Sequence, residues 1–124
     1  INIVGGAARS PSSDFMVGGS VNAALANFSK ALAAQGLVDD VNVNWILPGM
    51  TETERMERLL EGKAKMQNKT KEEVRADSIR HEGIRRLGLP EDVAELVVFL
   101  CSPAARHIQG AGIPVDGGAG KGYY

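Results

Sequence analysis

The 124-residue chain is predicted to fold as an α/β protein with parallel strands. Two observations carry that prediction. Short apolar runs alternate with longer segments of helical periodicity, in the order strand, helix, strand, two or three helices, strand. Connections of that length are what parallel pairing requires, since antiparallel neighbours can be joined by a tight hairpin.

Ile1-Asn2-Ile3-Val4 reads as a short buried strand that stops at Gly5-Gly6-Ala7-Ala8. Arg9 to Asp14 carries turn chemistry and reads as a polar loop. From Ser20 to Ala34 the apolar positions Val21, Ala24, Leu25, Phe28, Ala31 and Leu32 recur at helical spacing and predict the buried face of a helix. Gly36 is expected to stop that helix. Val41 to Leu47 predicts a second strand, closed by Pro48-Gly49.

Glu52 to Met66 predicts a helix with Met56, Leu59, Leu60 and Ala64 on one side. Thr70-Lys-Glu-Glu73 fits a capping box and opens the next helix, whose face is poorly apolar. Leu89-Pro90-Glu91-Asp92 opens another, with proline in the first turn and carboxylates at the positive end of the helix dipole. That helix should carry Val93, Leu96, Val97 and Leu100 inward and stop before Pro103. Ile113 to Asp116 predicts a last strand, and Gly120 to Tyr124 a loose tail. Three strands leave one sheet edge unprotected, so the chain is expected to be part of a larger domain.

Composition narrows the class. A hydrophobic fraction of 44% and a charged fraction of 23% are ordinary for a globular protein. A net charge of −1 makes no electrostatic case for nucleic acid or an anionic membrane as partner. The longest apolar run, Val93 to Cys101, is broken by Glu95 and too short to span a bilayer. No secretory signal pattern is visible, and the single Cys101 suits a reducing compartment, so a cytoplasmic location is expected. Cys101 is expected to be a buried, inert thiol on an apolar helix face. His81 and His107 have no second ligand at metal spacing, and no metal site is expected.

Four segments, in order, resemble the second half of the short-chain dehydrogenase/reductase family. Ile1-Asn2-Ile3-Val4-Gly5 resembles its fifth strand, and Asn22-Ala23-Ala24-Leu25 the start of its fifth helix. Val43 to Thr53, containing Pro48-Gly49-Met50-Thr51-Glu52-Thr53, resembles its sixth strand with the Pro-Gly-x-x-x-Thr motif. Arg86 to Ala94, followed by Ile108-Gln109-Gly110 and Val115-Asp116-Gly117-Gly118, resembles its C-terminal signature. The resemblance implies that residues 1–124 are the C-terminal half of a Rossmann-like, doubly wound parallel sheet of three strands and three to four helices. It also implies that residues 50–88 hold the helices of a substrate lid.

The same resemblance identifies what is missing. The family's catalytic Ser, Tyr and Lys positions hold Gly5, Gly18 and Asn22, so no catalytic residue is expected. A phenol must have its pKa lowered by a nearby cation to work near neutral pH, and none of these three residues is titratable. Phe15 and Ser20 are the nearest stand-ins, but Phe15 has no proton to give and Ser20 has no evident base. Ser10, Ser12 and Ser13 read as a solvated turn, with ligand contact as the other reading. The glycine-rich phosphate turn of the family has no counterpart, which removes the helix N-terminus that would hold a pyrophosphate.

Pro48, Gly49, Thr51 and Thr53 are better kept, and the family uses this loop against the nicotinamide carboxamide. Their other reading is structural: Pro-Gly ends a strand and Thr53 caps a helix. Asn22 is either a helix-surface amide or a remaining ribose contact. Asp116-Gly117-Gly118 is expected to hold a turn.

Two functions follow from the resemblance. One is an NAD(P)-dependent oxidoreductase of unknown substrate, using NAD or NADP if an N-terminal half is present, with no cofactor expected for the chain alone. The alternative is a non-catalytic scaffold or oligomerisation module. In either case a homodimer or homotetramer is expected, with a small-molecule substrate in the first.

Overall fold

A computed structural model describes residues 1–122. Its elements are β1 (Asn2–Ile3), α1 (Met16–Asp39), β2 (Trp45–Pro48), α2 (Glu54–Gln67), α3 (Lys71–Glu82), α4 (Pro90–Leu100) and β3 (Gly112–Val115), with single 3-10 turns at Gly6–Ala8, Ser13–Phe15 and Pro103–Ala105. The strands form one parallel sheet in the order β1-β2-β3, with Asn2 opposite Trp45 and Ile46 opposite Ile113. The α/β class is as the sequence predicts.

Both faces of the sheet are covered, which is why β2 reads as a continuous apolar run rather than an alternating one. Trp45 and Leu47 point to one side and pack with Val4 against Leu25 and Ala26 of α1. Ile46 points to the other side and packs with Leu100 against Val93, Leu96 and Val97 of α4. The four inward positions of α4 are those expected. A third cluster, Leu60 and Ala64 of α2 with Val74 of α3 and Met56, holds α2 and α3 together. Among the described residues no helix is long and apolar enough to cross a membrane.

Polar side chains tie the strand ends. Asn44, fully buried, donates from Nδ2 to the Ile108 carbonyl and accepts at Oδ1 from the Ala111 N–H, both at 2.9 Å. Gln109 accepts from the Val43 N–H at 2.6 Å and donates to the Ala33 carbonyl at 2.8 Å. Backbone bonds from the Asn2 N–H to the Asn44 carbonyl and from the Gly110 N–H to the Val43 carbonyl join these side-chain bonds in holding the segment before Trp45, and the regular strand is shorter than predicted. The capping box forms as expected: Thr70 Oγ1 accepts from the Glu73 N–H at 3.1 Å, and the Glu73 carboxylate accepts from the Thr70 N–H at 2.8 Å.

Helix α1 departs from expectation in three ways. It begins four residues earlier than predicted, at Met16 rather than Ser20. It also runs through Gly36 to Asp39 and ends on Asp40 in the left-handed region at φ 55°. Gly36 is needed for close packing, because a Cβ there would run into the Val41 carbonyl. Its buried face is the reverse of the one predicted. Gly19, Ser29, Ala33 and Gly36 are buried, whereas Val21 is 62% and Phe28 56% exposed. Small residues let the helix approach the sheet closely, so the large apolar side chains are left on the outside. Of the predicted face, only Leu25 packs on the core.

Cys101 is a second correction: it caps the end of α4, one residue beyond the buried turn, and is exposed. In the C-terminal tail, Asp116 accepts the N–H groups of Gly118 and Gly120, each at 2.9 Å, and so holds the turn. Tyr123 and Tyr124 lie outside the described residues.

Candidate functional site

The fold brings Gly5, Gly18 and Asn22 together. Gly5 lies two residues past the end of β1, and Gly18 and Asn22 lie one helical turn apart near the start of α1. The Asn22 side chain bridges the other two. Its Oδ1 accepts from the Gly5 N–H at 2.6 Å, and its Nδ2 donates to the Gly18 carbonyl at 2.8 Å. An amide can do this because it carries both an acceptor and donors, whereas a lysine offers only donors. Asn22 is therefore a strap between strand and helix, which neither sequence reading of it anticipated. Any ribose contact would have to use its second Nδ2 hydrogen or the second lone pair of Oδ1.

Side chains at the two glycines would disturb this corner. A Cβ on Gly5 would lie 3.1 Å from Asn22 Oδ1, and a Cβ on Gly18 would run into the Phe15 ring. Phe15, 45% exposed, covers the point from which a residue-18 side chain would leave the helix. The 3-10 turn Ser13–Phe15, capped by Ser12 Oγ accepting from the Asp14 N–H at 3.3 Å, places it there. Ser10, Ser12, Ser13 and Ser20 are all exposed. The sequence names Phe15 as a neighbour but carries no signal for its position over Gly18.

The Pro48–Thr53 loop leaves the end of β2. Gly49 donates to the Val115 carbonyl at 3.0 Å, and a Cβ on it would sit 2.8 Å from Asp116 Cα. The glycine is thus required by the neighbouring strand end whatever the loop binds. Thr51 forms an isolated parallel bridge with Gly88: Gly88 donates to the Met50 carbonyl and Glu52 to the Gly88 carbonyl, both at 2.8 Å. In a parallel bridge the residue between those two groups faces its own N–H and C=O the other way. The Thr51 backbone pair accordingly has no hydrogen-bond partner among the described residues. The Thr51 hydroxyl donates to the Gly49 carbonyl at 3.1 Å, and Thr53 Oγ1 caps α2 by accepting from the Met56 N–H at 3.2 Å. The Thr53 hydroxyl hydrogen stays available for donation.

The segment that holds Gly88 is itself fixed by charge. Arg86 grips Asp92 with two parallel N–H···O bonds of 2.7 and 2.8 Å, a geometry that adds strength and direction. The Arg86 guanidinium, together with the Leu89 N–H, holds the Asp92 carboxyl down to about 2. Between α2 and α3, the Lys71 ammonium lowers the Glu57 carboxyl in the same way. A cleft of about 190 Å³ lies between α2 and α3, with Met50, Lys63, Val74, Ser78 and His81 among its walls. Ordinary ligand pockets are roughly 300–1,000 Å³, so this cleft does not by itself enclose a substrate. His81 and His107 are exposed, and no metal-binding group of three or more His, Cys, Asp or Glu occurs among the described residues.

Residues 1–120 match the family described as Enoyl-(Acyl carrier protein) reductase. The NADPH-dependent reductase BacG of Bacillus subtilis is 32% identical over 98% of the chain and 47% of its own length. Human dehydrogenase/reductase SDR family member 4 is 38% identical over 90% of the chain and 37% of its own length. The crystal structure of L-sorbose reductase from Gluconobacter frateurii, complexed with NADPH and L-sorbose, superposes with a TM-score of 0.88 at 30% identity, covering 97% of this chain and 46% of that one. The chain belongs to the short-chain dehydrogenase/reductase family, whose members share the Rossmann-like fold. It spans about half the length of the relatives it matches, 47% in the case of BacG.

Proposed function

We propose that this chain is the nicotinamide-side half of an NAD(P)-binding member of the family, and that its proton relay has been replaced by a structural strap. One contrast carries this reading: the Thr51 backbone pair stands free on an ordered loop, while Asn22 ties the catalytic corner shut. The loop suits a nicotinamide carboxamide, since Thr51 offers one donor and one acceptor side by side and Thr53 a hydroxyl. Pro48 and Gly49 set the position of that loop. The bound dinucleotide would supply or accept a hydride. The chain's own residues would orient the ring and exclude water, but Gly5, Gly18 and Asn22 offer no group to move a proton at a substrate oxygen.

The N-terminal half of the intact protein would bring the pyrophosphate turn and the choice between NAD and NADP, and a small-molecule substrate would lie under residues 50–88. Titration of the intact protein with NAD(H) and NADP(H), followed by thermal stability, tests the binding half of the proposal. Stabilisation by at least one of the four is expected. No shift with any of them would leave the scaffold alternative in its place.

A specific observation favours assembly as a second role. The outward face of α1 carries Val17, Val21, Phe28 and Leu32 at 80%, 62%, 56% and 39% exposure. A contiguous apolar stripe of this kind marks an interaction surface. We propose that two or four copies associate through it.

A further inference from the structure

Glu52 stands between Thr51 and Thr53, and it is the loop residue most firmly bound to the lid. Its carboxylate accepts from Arg75 Nη2 of α3. Arg75 Nη1 also lies 3.9 Å from Glu57 of α2, whose other oxygen accepts from Lys71 Nζ of α3 at 2.7 Å. Two cations one turn apart on α3 therefore face two carboxylates, one from the loop and one from the first turn of α2. The four side chains are about one-third exposed, from 32% for Arg75 to 39% for Glu52. Isolated surface pairs contribute little, but a balanced, half-buried network that shares partners is stronger. Other charges reinforce it: Arg86 lies within electrostatic reach of Glu52, and Glu61 and Glu72 within reach of Lys71.

The backbone of Glu52 extends the connection. Its N–H donates to the Gly88 carbonyl, so the same residue joins the loop to Gly88 through its main chain and to α3 through its side chain. The Thr51 backbone groups that stand free are positioned by the bridge bonds of their neighbours Met50 and Glu52 and by the Thr51 hydroxyl on the Gly49 carbonyl.

We propose that Arg75 is a positioning residue: through Glu52 it fixes the Thr51–Thr53 loop, so that order in the lid and geometry at the nicotinamide side are coupled. The cofactor part of this rests on the function proposed above, while the mechanical part does not. It follows that a lid pulled away from the loop would release Glu52 and loosen the Thr51 backbone, and that a ligand ordering the loop would order the lid in return.

The test uses the intact protein and two readouts. The first is amide hydrogen exchange without nucleotide, read at Glu52 and Gly88, whose N–H groups form the bridge. Arg75→Met should speed exchange at both by roughly fivefold or more, the size of an ordinary coupling, while core amides of β2 and α4 stay unchanged. Arg75→Lys should recover part of the protection, and the exchanged pair Glu52→Arg with Arg75→Glu should recover more of it than either single change. The second readout is NADH and NADPH affinity by calorimetry, expected to weaken by about the same factor in Arg75→Met. Unchanged exchange at Glu52 and Gly88 in a folded Arg75→Met protein would overturn the latch. An exchanged pair that remains as loose as the single variants would overturn it too. Faster exchange in a protein that binds no nucleotide even as wild type would uphold the latch and refute the binding proposal instead.

Discussion

Asn22 is the residue on which the corner between Gly5 and Gly18 depends. It makes two half-buried hydrogen bonds, one across to the Gly5 N–H beyond β1 and one back to the Gly18 carbonyl within α1. Asn22→Ala would leave the Gly5 N–H without its partner, at a cost of about 1–3 kcal/mol. Urea denaturation of the variant should show a loss in that range, and no change would mean that the strap is incidental. The sequence picks out positions 5, 18 and 22, because each falls at a fixed distance within a recognisable segment. It could not disclose that they touch. Contacts between residues 5 and 22 depend on how the strand feeds the helix, and the placement of Phe15 depends on a three-residue turn with no periodic signal. The two threonines were more legible. Thr53 shows its capping role through position alone, whereas the freedom of the Thr51 backbone follows from a bridge to Gly88, 37 residues along the chain by the numbering.

Helix α1 shows how an element can be read correctly in type and wrongly in orientation. Its periodicity is real, but the strongest apolar positions face solvent and the small ones face the sheet. Gly36 is the sharpest case, because two effects oppose each other there. Alanine is favoured over glycine in a helix by about 1 kcal/mol, but a methyl group would meet the Val41 carbonyl. Forcing extra volume into such a contact costs about 1–3 kcal/mol, so Gly36→Ala should lower stability by up to about 2 kcal/mol in thermal or urea melts. A stabilised variant would show that α1 can move away from that strand. The segment 86–92 offers a pH test at the same scale. The Asp92 carboxyl is held at about 2 against an ordinary 3.8, so its folded-state pKa is depressed. Its contribution is then fully present above the ordinary value and is lost as pH falls from about 4 to about 2. Asp92→Asn should flatten the acid limb of a melting-temperature profile across that window, and an unaltered limb would place the titrating groups elsewhere. Capping boxes and strand stops were plain in the sequence because they rest on neighbouring residues. Fork contacts such as Arg86 with Asp92 were not, although both residues lay in a recognised segment.

At the scale of the whole molecule, a sheet with two covered faces carries an exposed apolar stripe on α1, and the Pro48–Thr53 loop lies between the Gly5–Asn22 corner and an ion pair to α3. The stripe on α1 sets an expectation for assembly. Phe28→Glu and Val21→Glu place charge on its centre without touching the core, and sedimentation should show a smaller species than wild type at equal concentration. An unchanged mass would move the contact to another face. The loop and the corner set the expectation for chemistry, and one measurement tests them together. The intact protein, saturated with NADH or NADPH, is offered a panel of aldehydes and ketones while reduced nucleotide is followed by its absorbance. The account predicts saturable nucleotide binding with no carbonyl-dependent loss of absorbance above the protein-free rate. Rapid, carbonyl-dependent oxidation would contradict it, because a proton donor would then be working at a corner where Gly5, Gly18 and Asn22 provide none.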